Sequence, residues 1–236
     1  MSLRKRIFGR KKGNSVESRA SAASTRRTEL NDAWAAFDAA DFAVAINAVR
    51  PFLTVADRKV SREARKLVAL SEFQQENYAE AMVLFQGLAA VSTDAADWFN
   101  VITAATLADD IPTAEHALLV AIQCQDASGH TQQPSVHYIR YYFGCALFDR
   151  GEFDKAFRQL EELRSVYERL EASEDRFLDA KGVPPLAQCM TLAVDVLKKM
   201  QGTVDGQEWM RRFGNQLDQS GREYLHTLIN RFNDSV

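Results

Sequence analysis

From about residue 28 onward, large apolar residues recur at spacings of three and four, and no stretch alternates apolar and polar positions as a half-buried strand would. The pattern predicts helix throughout. Within it, one local arrangement appears four times, in "DFAVAINAV", "NYAEAMVLF", "DIPTAEHAL" and "EFDKAFRQL". Each has an alanine (Ala45, Ala81, Ala114, Ala156) with a large apolar residue three places before it (Phe42, Tyr78, Ile111, Phe153). Another follows four places after (Val49, Phe85, Leu118, Leu160). Twelve positions ahead of the alanines stand Ala33, Ala69, Ile102 and Gly144, three of them small. Polar turns lie between, at Ala40-Asp41, Glu76-Asn77, Asp109-Asp110 and Arg150-Gly151. Each copy therefore predicts a helical hairpin in which the small residue of the first helix meets the alanine of the second. Missing side chains let the backbones approach, and bulky neighbours fill the grooves on either side.

The alanines are separated by 36, 33 and 42 residues. On these residues the chain resembles the tetratricopeptide repeat, a helix–turn–helix unit of about 34 residues. The resemblance covers about residues 28–170, with the fourth copy the best and Trp98 where the family often has a tryptophan. It departs from the family at Ile102, in having no proline to close a second helix, and in the polar insertion "QDASGHTQQPS" at 125–135. The fold it implies is all-α, a right-handed α-solenoid of helical hairpins with C-terminal capping helices. The expected organisation is a basic, disordered tail at 1–27, repeats at 28–180 and a helical cap at 181–236.

Local signals refine this layout. Asn77 with Glu80 has capping-box spacing, Pro112 suits a first helical turn, and Pro134-Ser135 starts a new helix. After Ala156 the run Leu160, Leu163, Tyr167, Leu170, Phe177 predicts one helix of about 25 residues. It reads either as packed on the C-terminal helices or as a coiled-coil seam for a partner or a second copy. "KGVPP" at 181–185 breaks it. Three further helices are expected near 186–201, 206–217 and 221–233, with Asp205/Glu208 and Ser220/Glu223 as capping boxes.

Composition narrows the class. The chain has 236 residues, 46% hydrophobic and 26% charged, enough to bury a core without disulfide or metal. No apolar run approaches the roughly 18 residues of a spanning helix, and no apolar signal segment is expected. Cys124, Cys145 and Cys189 are odd in number and contain no CxxC, which points to a reducing, cytoplasmic setting. Charge is segregated. Residues 1–27 hold nine Lys or Arg against Glu17, or +8, so a total of −3 leaves −11 on the rest.

Chemistry of the enzymatic kind is not legible. There is no phosphate-binding glycine loop, and His116, His130, His137 and His226 lack zinc-like spacing. Asp109-Asp110 sits in a turn, where it reads as a helix cap. No catalytic residue, metal or cofactor is expected. The resemblance instead implies a groove lined by the first helix of each unit: Leu30, Trp34 and Phe37; Lys66, Leu70 and Phe73; Phe99, Thr103 and Thr106; Tyr138, Tyr141 and Phe148. Its aromatic character suits a partner protein or peptide. Only Lys66 fits the cationic clamp with which some relatives hold chaperone tails. The tail residues Arg4, Lys5, Arg6, Arg10, Lys11 and Lys12 suit an anionic membrane surface, nucleic acid or an acidic protein. The expected role is a non-catalytic adaptor or scaffold; action mainly through the tail, on nucleic acid or membrane, is the alternative.

Overall fold

The computed structural model describes residues 22–200 and 204–233, and these are helical with no strand among them. Its helices are α1 (Ala22–Asp38), α2 (Phe42–Val49), α3 (Arg58–Gln74), α4 (Tyr78–Ala89), α5 (Ala95–Leu107), α6 (Ile111–Ala127), α7 (Val136–Asp149), α8 (Phe153–Leu170), α9 (Asp175–Ala180), α10 (Leu186–Lys199), α11 (Gly206–Asn215) and α12 (Gln219–Asn233). A single 3-10 turn, Arg50–Phe52, follows α2. Helix α1 begins at Ala22, so residues 22–27, expected in the tail, are helical. The cations from Arg4 to Lys12 lie outside the described residues.

All four expected turns form, and they are the same turn. In each, one residue adopts a left-handed backbone: Ala40 (φ 63°), Glu76 (70°), Asp109 (64°) and Gly151 (79°). The N–H of the next residue reaches back five positions, from Asp41 to Ala36, Asn77 to Glu72, Asp110 to Ala105 and Glu152 to Leu147, at 2.9–3.0 Å. This is the Schellman closure, which satisfies carbonyls orphaned at a helix end. The carbonyl of that same next residue then accepts from the marker alanine (Asp41 from Ala45 at 3.0 Å, Glu152 from Ala156 at 2.9 Å), so one residue ends one helix and starts the next. Asp41 and Asp110 add side-chain caps, accepting from the N–H groups of Val44 and Thr113. Asn77 sits at the cap position, but its amide nitrogen donates to Glu72 and its oxygen makes no cap; the capping box with Glu80 does not form.

The described residues gather into two compact units, one ending at Ala117 and the other beginning at Leu118. In the first, consecutive helices from α1 to α5 pack along one another, and α1 also touches α3. Ala33, Ala45, Ala69, Ala81, Ile102 and Ala114 have no exposed surface. Asp97, 7% exposed, binds Arg62, whose other nitrogen donates to the Leu88 carbonyl at 2.9 Å. That interaction ties α3 to the end of α4 and the start of α5.

In the second unit α7 and α8 form the hairpin and α10 lies against both. A Cβ placed on Gly144 would stand 3.5 Å from Cβ of Gln159, 3.9 Å from the Ala156 carbonyl and 3.2 Å from Cδ2 of Leu192. An added methyl would make ordinary contact with α8 and press only on the Leu192 tip of α10, so Gly144 marks a close approach to both helices. Helix α8 ends at Leu170, not near residue 177, because Glu171 turns left-handed (φ 48°); Phe177 belongs to the short α9. The stripe Ala156, Leu160, Leu163, Val166 and Tyr167 is buried. Part of that cover is α11, whose Trp209 stacks near Phe157 (6.0 Å) and whose Phe213 lies 5.8 Å from Tyr167. Helix α12 is capped by Asp218, not Ser220, since the Asp218 carboxylate also accepts from Ser173 and fixes the loop ahead of α9.

Candidate functional site

The residues expected to line a groove separate by exposure. Leu30, Leu70, Phe73, Phe99, Thr103 and Thr106 are buried, none more than 5% exposed. They are packing residues, which corrects their assignment to an open face. Phe73 lies edge-on to Tyr78 across the second hairpin (5.3 Å), and Thr103 and Thr106 donate to the Phe99 and Ile102 carbonyls of their own helix. A threonine bonded four residues back is satisfied without solvent.

Trp34, Phe37, Lys66, Tyr138, Tyr141 and Phe148 remain half-buried, with part of each side chain accessible. In the first unit Trp34 and Phe37 stack edge to face at 5.6 Å, and the indole N–H donates to Glu63 at 3.0 Å. Glu63 thereby fixes the ring and presents a carboxylate beside it. In the second unit Tyr138 stacks on Tyr142 (6.4 Å) and donates its hydroxyl to Asp179 of α9 at 3.3 Å. Tyr141 lies 5.2 Å from Tyr142 and shares a hydrogen bond with the Cys145 thiol. Phe148 is packed 5.6 Å from Phe153 across the fourth turn. Burial pushes the Cys145 and Cys189 thiols up to about 12, so both stay protonated and inert as nucleophiles.

Two adjoining clefts open beside the start of α7. One, of about 490 Å³, is lined by His137 and Arg140 of α7 and by Glu162, Ser165, Glu168 and Arg169 of α8. The other, of about 450 Å³, shares Val136, His137 and Arg169 and extends to Gln125, Asp179 and Lys181. Arg140 is bound to Gln159 (3.0 Å) and faces Glu162 (3.5 Å). Desolvation, then Arg169, Arg140 and His130, hold the His137 pKa below its usual value, so this imidazole is neutral near pH 7. Sequence reading missed this region, since its residues come from loops and four helices with no local pattern. The insertion at 125–135 was the one available signal. Its anchor is Gln125, 1% exposed, whose amide donates to the carbonyls of Gln132 (3.0 Å) and Pro134 (2.7 Å).

Among the described residues, no group of three or more His, Cys, Asp or Glu is placed to hold a metal ion, and no helix is long and apolar enough to cross a membrane. No family model, curated protein or solved structure matches the chain.

Proposed function

We propose that the chain is a tetratricopeptide-like interaction protein, an adaptor of the cytoplasm that holds a partner protein or peptide against the first helices of its hairpins. The observation that carries this reading is a hairpin with one recurring turn, joined to accessible rings on the first helix of the first and fourth copies. Repeated hairpins are a scaffold on which successive first helices offer side chains to one ligand. Rings such as Trp34, Phe37, Tyr138 and Tyr141 supply large contact area at low entropic cost. The step from scaffold to role is by analogy with that architecture.

A second reading rests on the charge segregation of the sequence, +8 on residues 1–27 against −11 beyond. In it the tail engages nucleic acid or an anionic membrane by counterion release, with steep salt dependence. Nuclease-treated pull-downs with the full chain, a 28–236 truncation and a Trp34→Ala/Phe37→Ala variant separate the two. The adaptor reading expects one stoichiometric protein retained by the full chain and the truncation and lost from the double variant. Retention that depends only on residues 1–27, or vanishes with nuclease, overturns it.

A further inference from the structure

Charge inside the first unit is divided as sharply as along the whole chain. Residues 28–66 hold six Asp or Glu and six Lys or Arg, which cancel. Residues 67–117 hold eight Asp or Glu and no Lys or Arg, a net −8. Residues 118–236 carry only −3, from seventeen acids and fourteen cations. The negative charge that opposes the +8 of residues 1–27 is thus gathered on α4, α5 and the turns beside them.

The same segment contains an uncovered helix face. Helix α4 exposes Ala79, Glu80, Val83 and Gly87, and Ala90 and Val91 prolong the line past its end. Spacings of three and four make this one stripe. Val83 is 62% and Val91 83% exposed, and a Cβ on Gly87 would meet nothing within 4 Å. Glu80 is the one charge on α4. Exposed acids frame the stripe, Glu76 and Asp109 on the turn edge where α4 starts and Asp94 beyond its end. Arg62, which reaches the end of α4 from α3, is bound to Asp97 and to the Leu88 carbonyl.

We infer that this face of α4 is the docking site for the chain's own residues 3–12, with Leu3, Ile7 and Phe8 over Val83 and Gly87 and the cations directed to the flanking acids. Charge and apolar content match on both sides of the contact, and the chain is long enough to make it. Each hairpin turn reverses direction, so α1 begins and α4 ends on the same edge of the unit. The nine residues 13–21 separate the segment from α1. At up to about 3.5 Å each they span roughly 30 Å, against helix spacings of about 8–10 Å. A tether this short gives an effective concentration on the order of millimolar, enough to occupy a face of modest affinity. The stripe lies on a different helix from Trp34 and Phe37, and the inference does not rest on them. A nucleic acid or an anionic membrane would first have to displace the segment.

The test is trypsin cleavage within residues 4–12 of the full chain, timed by mass spectrometry beside a synthetic peptide of residues 1–21. At low salt the segment in the full chain should be cut about fivefold or more slowly than the peptide, and at raised salt nearly as fast. Glu80→Lys/Val83→Lys, both at exposed positions, should abolish the protection. Thr191→Lys/Asp195→Lys, which makes the same change of net charge on the exposed side of α10, should keep it. Circular dichroism confirms that both variants are folded. A wild-type segment cut as fast as the peptide overturns the inference, as does protection that survives in Glu80→Lys/Val83→Lys or is lost equally in both variants. Protection that rises with protein concentration, together with a dimer by light scattering, also overturns it, since the segment then docks on a second copy.

Discussion

The left-handed residue at each hairpin turn is where single side chains matter most. Only one of the four positions holds glycine, and at Gly151 an added Cβ would meet nothing within 4 Å. The cost of Gly151→Ala is thus purely conformational, about 1–2 kcal/mol, read as a lower Tm or urea midpoint. The reverse change, Glu76→Gly, relieves the same strain and should raise stability by up to about 1 kcal/mol. His137 gives a pH signature. Its folded pKa lies below the ordinary 6.5, so above 6.5 both folded and unfolded chains carry it neutral and its stabilisation is complete. As pH falls from 6.5 through the lowered folded value, the unfolded chain takes up the proton first and stability is withdrawn. Thermal unfolding of His137→Gln should accordingly lose less Tm between pH 7 and 5 than the wild type. At this scale the sequence showed the turns but not their geometry. Ala and Glu carry no left-handed signature, and His137 owes its shift first to burial and then to Arg169, which is distant in sequence.

At the level of the element, hairpins were legible because their determinants are local: small residues at fixed spacing, polar turns, apolar flanks. What escaped was a local reversal without a sequence signature and packing between residues distant in sequence. The end of α8 at Leu170 reflects a backbone reversal at Glu171, while the apolar spacing that implied continuation through Phe177 carries on into α9. The C-terminal helices match the repeat pattern poorly in sequence, yet Gly214 against Leu225 reproduces the glycine-to-helix contact of Gly144, recognisable only once the two helices are paired. Docking of α11 on α8 rests on Trp209, 6% exposed, whose ring lies 5.6 Å from Phe213 and under the Arg164 guanidinium, and whose N–H donates to Glu161. Trp209→Ala should cost about 3–5 kcal/mol in denaturant unfolding. Trp209→Phe, which keeps most of the buried area and leaves Glu161 its ion pair with Arg164 (3.3 Å), should cost clearly less.

For the molecule as a whole, the all-helical class of the described residues could be read in advance, whereas which residues of the expected stripe stay accessible could not. Helical spacing does not distinguish a ring that faces a ligand from one that faces the next helix, and Phe73 and Phe99 proved to be the second kind. Another consequence follows from the way Gln125 holds both ends of its excursion, its amide grasping the Gln132 and Pro134 carbonyls. The excursion is a closed annex, fastened at its neck, and its tip at Gly129–Thr131 is exposed. Foreign sequence spliced there would add only ring-closure entropy, about 0.6 kcal/mol for each doubling of length. A ten-residue Gly/Ser insert after Gly129 should leave the unfolding midpoint nearly unmoved, while Gln125→Ala, which opens the neck, should make the same insert measurably destabilising. The chain would then carry a built-in attachment point for a tag or a reporter, set apart from the turns of its hairpins.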